Sequence, residues 1–176
     1  MKSSTARSSD IHDGTNPLDG YERFLKSRKA RFQRVDNDSL SVEIEGYTLE
    51  LFWNDEDEAL MASVAINMQL AEGIRDLAAP VVMHINRRQW LGHFEIADDG
   101  FPCWRYTMLF HGNFSAADND VIEEMTDIAL RSCDQYAPAF SLMAAATELN
   151  DFPRLFATDG QCAPLGLALL DTSGQG

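Results

Sequence analysis

Apolar and polar residues alternate from Leu91 to Ala97 and again from Phe101 to Phe110, with Asp98-Asp99-Gly100 between the two runs. An alternation of period two marks strands. The two aspartates suit a type I turn and the glycine suits the left-handed position after it, so the segment reads as a hairpin with a three-residue loop. That loop sets Ala97 opposite Phe101 and therefore Phe94 opposite Trp104. Phe94, Ile96, Trp104, Tyr106, Met108 and Phe110 then share one face, while His93, Glu95, Cys103, Arg105, Thr107 and His111 share the other. A two-residue loop would slip the register and place Arg105 among the aromatic residues, where a permanent charge loses its hydration. The pattern selects the first register and predicts a sheet that is aromatic toward a core and polar toward solvent or a partner.

Helical and strand periods also organise the rest of the chain. Tyr21, Phe24, Leu25, Arg28 and Phe32 recur at helical spacing and predict a short amphipathic helix from Asp19 to Val35. Leu40, Val42 and Ile44, then Tyr47, Leu49, Leu51 and Trp53 after Gly46, predict two strands. The polar, acidic stretch Asn54 to Glu58 connects them to Ala59–Met68, which alternates imperfectly and reads as a third strand, although a helix would tolerate it. Glu72 to Gln89 has the apolar spacing of a helix that begins or bends at Pro80. Ser115 stands at an N-cap position with Asp118 three residues on. A long helix follows, with Val121, Ile122, Met125, Ile128, Ala129, Ser132, Cys133 and Tyr136 inward; Pro138 either ends it or kinks it before an apolar continuation to Ala146. Residues 1–17 read as a flexible tail, 18–149 as one folded domain, and 150–176 as an extension that allows one short helix.

Composition narrows the class. A chain of 176 residues with 45% hydrophobic content builds a sizeable core without disulfides or metal. Its formal charge of -14 opposes broad contact with nucleic acid or anionic membranes. Within that acidic chain the first predicted helix is basic, with Arg23, Lys26, Arg28, Lys29, Arg31 and Arg34, and it suits an acidic surface such as the face of Asp120 to Asp127, its own or that of a second copy. Cys103, Cys133 and Cys162 are odd in number and widely spaced, as reduced structural thiols of a cytoplasmic protein would be. No apolar run approaches a membrane span and the first twenty residues lack the apolar stretch of a secretion signal, so the chain is expected to be soluble and intracellular.

Four short motifs, in order, carry a family resemblance. Ile85-Asn86, Gly92-His93-Phe94, Trp104-Arg105-Tyr106 and Tyr136-Ala137-Pro138-Ala139-Phe140 resemble the pattern of the YbjN family, labelled bacterial sensory transduction regulators. The resemblance covers roughly residues 20 to 146 and implies the fold of type III secretion chaperones. The expected architecture is α+β, with a single mainly antiparallel sheet of about five strands and helices packed on one face, in the order α-β-β-β-α-β-β-α. The resemblance implies no enzyme activity, and a shared fold does not transfer chaperone function.

Candidate chemistry is sparse. His93, Glu95 and Arg105 share the polar sheet face, where they could bind a carboxylate or move a proton, but a solvated cross-strand group is the plainer account. No nucleophile motif supports catalysis, His84, His93 and His111 lack ligand spacing, and no phosphate loop is present, so neither metal nor cofactor is expected. Asn86 is expected to cap the end of the second helix and Gly92 to permit close backbone approach. The favoured expectation is a homodimeric, non-enzymatic interaction module, with Trp53, Trp90 and Phe114 as exposed anchors for another protein. The alternative is a sensor that takes an anionic metabolite through His93, Glu95 and Arg105.

Overall fold

The computed structural model describes residues 16–110 and 115–145. In chain order the elements are α1 (Pro17–Arg28), β1 (Arg31–Arg34), β2 (Ser39–Ile44), β3 (Tyr47–Asn54), β4 (Ala59–Ala65), α2 (Glu72–Asn86), β5 (His93–Ile96), β6 (Pro102–Leu109) and α3 (Ala116–Ala145). The six strands form one antiparallel sheet in the order β1-β2-β3-β4-β6-β5. The architecture is the expected α+β arrangement with one strand more than anticipated.

The extra strand lies where the helix from Asp19 to Val35 was expected to continue. Asn16 caps α1 by accepting the Leu18 N–H at 2.9 Å, and Pro17 supplies a preset first turn. Lys29 then turns left-handed at φ 56°, and the Ala30 N–H donates to the Leu25 carbonyl at 3.1 Å, which closes the helix. Beyond it the chain extends and pairs Phe32 with Val42, while Arg31 meets Glu43 at 3.8 Å. Arg31 and Arg34 are therefore strand residues, and the basic segment is not one continuous helical face. Arg28 Nη2 reaches Glu123 Oε2 on α3 at 3.5 Å, so part of its charge is met within the same chain.

The hairpin adopts the register that alternation selects. Phe94 pairs with Trp104, the Ala97 N–H donates to Phe101 C=O at 2.9 Å, and Gly100 takes φ +92° after the two aspartates. Gly92, at φ +70°, fits only because it lacks a side chain: a Cβ there would stand 2.3 Å from the Trp104 ring. The approach is of a side chain to the backbone, not of two backbones.

One core fills the space between sheet and helices. Leu49, Leu51, Leu60, Val64 and Trp104 from the sheet meet Leu18 and Tyr21 of α1, Ile74 and Ile85 of α2, and Ile122, Cys133, Tyr136 and Phe140 of α3. Phe94 lies 5.7 Å from the Tyr136 ring and 5.2 Å from the Phe140 ring. The helix α2 begins at Glu72 and runs through Pro80, and α3 runs through Pro138 to Ala145. At the start of α3 the Ser115 N–H and hydroxyl both donate to the Asp118 carboxylate, at 2.6 and 2.7 Å. Val121, expected inward, is half exposed, because the buried stripe of α3 is narrower and follows Ile122, Met125, Ala129, Cys133 and Tyr136. Burial pushes the Cys133 thiol up to about 12 and the Tyr21 phenol up to about 12, so both are neutral parts of the core.

Candidate functional site

Two surfaces among the described residues carry the candidate features, and the first is the sheet face turned away from the helices. On it the hairpin register brings His93, Glu95 and Arg105 together: His93 stands across from Arg105, and Arg105 Nη1 meets Glu95 Oε1 at 3.0 Å. Both partners of that ion pair are partly solvated, and His93 is exposed. The guanidinium is thus already neutralised by its neighbour, which leaves little attraction for an added anion. Cys103, opposite Glu95, donates its thiol to the Phe101 carbonyl at 3.6 Å, and burial raises its pKa, so it is held as a thiol rather than a nucleophile. Ser41, Glu50 and Ser63 continue the row of Arg105 across the sheet. Beside that row, Phe52 lies across from Met61, and Phe52 and Leu109 are 45% and 64% exposed. A shallow depression of about 350 Å³ runs over this face past Val35, Phe52, Met61 and Arg105.

The second surface lies along α2 and the outer edge of β5. A groove of about 550 Å³ runs between them, floored by Val82, Phe94 and Ile96 and rimmed by Ala79 and Met83. Asn86 fixes its geometry. Its Nδ2 donates to the Phe94 carbonyl at 2.9 Å and its Oδ1 accepts the Phe94 N–H at 2.7 Å, so the side chain takes the place of a neighbouring strand. Asn86 was expected to cap α2. Instead it ties the helix end to β5, because the helix carbonyls are met by the following turn, where Arg88 N–H reaches Ile85 C=O and Gln89 N–H reaches Asn86 C=O. That turn carries the chain to Trp90, which is 97% exposed. Gln89 is held from the other side by the Ser132 hydroxyl of α3, which donates to its Oε1 at 3.1 Å.

The three expected anchors separate. Trp90 is fully available, and Phe114 lies outside the described residues, as does His111. Trp53 is a correction: it is 3% exposed, on the inward face of β3 with Leu49 and Leu51, its ring 6.5 Å from Phe110. The alternation that placed Trp53 with those leucines already pointed it into the core. Met83, 55% exposed, was not singled out from sequence. The signal was available, since Met83 lies off the apolar stripe of Ile74, Leu77, Ala78, Val81, Val82 and Ile85 and so faces outward on the helix. Among the described residues no three of His, Cys, Asp and Glu converge as metal ligands do, and no helix is long and apolar enough to cross a membrane.

Comparison with known proteins agrees with this arrangement. Residues 17–142 match the family model of YbjN, described as a putative bacterial sensory transduction regulator. A chain in the crystal structure of the ExsC–ExsE complex is 17% identical, with a TM-score of 0.52, and the alignment covers 74% of this chain and 98% of that one. The crystal structure of YbjN, a putative transcription regulator from E. coli, aligns with 11% identity and a TM-score of 0.48 over 73% of this chain and 90% of that one. No curated protein sequence matches the chain. The likeness to the first of these structures is one of fold.

Proposed function

The chain belongs to the YbjN family, and we propose that it is a non-enzymatic adaptor or regulator that holds a segment of another protein, works as a homodimer and acts in the cytoplasm. The observation that carries the reading is the exposure of Met83, which lines the groove of α2 and β5, and of Trp90 in the turn that follows α2. A monomer gains nothing by leaving a tryptophan almost wholly in water, whereas at an interface tryptophan is among the residues that contribute most. The neighbouring fold of the ExsC–ExsE structure belongs to a protein complex, which suits a scaffold that holds protein. A second, separate apolar surface, with Phe52 and Leu109 on the open sheet face, supports self-association in addition to partner binding.

The sensor reading loses support at its own residues, because Glu95 already pairs with Arg105 Nη1 and offsets its charge. Crosslinking mass spectrometry in the source cell tests the proposal. It is expected to return crosslinks between the Met83–Trp90 surface and one particular protein, and light scattering is expected to give twice the mass of the chain. A monomer without reproducible crosslinks, together with a small metabolite that raises the melting temperature, would replace it with the sensor.

A further inference from the structure

The outer edge of β5 is closed at two points and open between them. Along an antiparallel strand successive residues turn their N–H and C=O to opposite sides, and Ala97 turns inward, its N–H donating to Phe101 C=O at 2.9 Å. Ile96 and Phe94 therefore turn outward, toward α2. The helix meets the edge on either side of Ile96: Asn86 bonds both backbone groups of Phe94, and Arg75 Nη1 donates to the Asp98 carbonyl in the following turn. Among the described residues no loop or side chain bonds the N–H or C=O of Ile96, which lines the groove between those two points. The groove is also acidic, since Asp76, Glu95 and Asp98 line it against one cation, Arg75. Glu95 is paired with Arg105, whereas Asp76 and Asp98 are exposed and form no ion pair among the described residues.

We infer that this groove takes an extended, cationic segment of a partner protein, which pairs its backbone with Ile96 and sets a lysine or arginine against Asp76 and Asp98. The inference rests on the protein-holding reading above and adds the chemistry and register of the partner. A guest residue paired with Ile96 exchanges both backbone bonds with it and turns its side chain to the same face as Ile96, onto Val82 and Phe94, so that residue is apolar. The next guest side chain on that face stands two residues away, roughly 7 Å along the strand, and toward the hairpin turn it meets the two aspartates. The segment read is thus a basic residue two places from an apolar one. Pairing stops at Phe94, whose outward groups Asn86 has taken. An acidic segment or a nucleic acid is repelled by the same carboxylates and by a net charge of -14.

The probes are three short peptides with blocked ends, and spermidine. One peptide carries lysine two places from leucine, the second has glutamate in place of that lysine, and the third sets lysine next to leucine and so on the opposite face. Binding is read by the anisotropy of a fluorophore on the peptide and by hydrogen exchange at the Ile96 amide. The first peptide is expected to bind most tightly, less so as salt rises, and at saturation to slow exchange at Ile96 by about tenfold or more. In the double variant Asp76→Lys, Asp98→Lys its affinity is expected to drop about tenfold or more and the preference to pass to the glutamate peptide. Circular dichroism checks that the variant is folded; if it is not, Asp76→Lys alone, at an exposed helix position, carries the test with an expected loss of about threefold. Equal binding of the lysine and glutamate peptides, binding of the third peptide or of spermidine as tight as the first, an unprotected Ile96 amide, or no binding overturns the inference.

A photocrosslinker at Ala79, exposed on the rim of the groove, separates this failure from that of the broader reading. Capture through a basic segment whose peptide also protects Ile96 supports both. Capture of a specific protein through a segment without lysine or arginine leaves the adaptor reading standing and removes this one. Capture of a second copy alone assigns the groove to self-association and removes both.

Discussion

The two margins of the sheet are held by different physics. At the β5 margin, Phe94 is 1% exposed between Tyr136, Phe140 and Trp104, Gly92 makes room for the tryptophan ring, and Asn86 fixes the strand backbone. At the β1 margin the side chains are largely charged: Arg34 reaches Asp19 at 3.1 Å and Glu22 at 3.6 Å, and Arg31 meets Glu43 across the strands. Shape complementarity and desolvation fix the first margin, and ion pairs that range from partly buried at Arg34 to solvent-screened at Arg31 hold the second. The difference teaches where stability is concentrated, and it can be broken by substitution.

The largest expected effect is from Phe94→Ala, which empties the space between three aromatic rings and should lower the unfolding free energy by about 4 kcal/mol in urea titration. Gly92→Ala should cost about 3 kcal/mol, since the new methyl group overlaps the Trp104 ring and the residue must keep a positive φ. Asn86→Ala removes both side-chain bonds to Phe94 and should cost about 2 kcal/mol, with faster hydrogen exchange at the Phe94 amide. Arg34→Ala, at the other margin, should cost about 1 kcal/mol or less and vary with salt. An Arg34→Ala loss equal to that of Phe94→Ala would erase the contrast.

The core shared by both margins adds a pH dependence. Cys133 keeps its proton in the folded chain up to about 12, whereas the unfolded thiol releases it near its ordinary value of 9.0. Between those values the unfolded chain binds fewer protons, so stability falls as pH rises, with a slope of at most about 1.4 kcal/mol per pH unit from this group. Below the lower value the group contributes no slope. Thermal melts from pH 8 to 11 should show the decline beginning near 9, and Cys133→Val should flatten it. Tyr21, raised to about 12 by burial, adds its own part from 10.0 upward.

Legibility in the sequence follows the same division. The hairpin register was readable because a period of two, one loop length and one charged residue leave a single arrangement that keeps Arg105 off the core. The Ser115 start of α3 was readable from its local cap. The strand β1 was not, since Phe32 also suits the helical stripe of Tyr21 and Leu25, and the residue that ends α1 is Lys29, which gives no sign of a left-handed turn. Pairing with β2, a tertiary event, decided that segment. The role of Asn86 was hidden for the same reason, because its partner lies eight residues on in another element. Trp90 was identified as an exposed residue but its setting was not: the helix stops at Asn86, and the turn that follows it, not a helical face, carries Trp90 into water.

The length of α3 has a consequence for how the chain is made. Tyr136, Phe140 and Met143, each almost wholly buried, supply the cover over Phe94 and the adjoining sheet, and they are among the last described residues to be synthesised. Until they leave the ribosome, the aromatic side of a nearly complete sheet stays wet and prone to clump with its neighbours. A message cut short before Met143 would therefore yield a sticky product and a burden on the cell's folding machinery, not merely a shorter regulator.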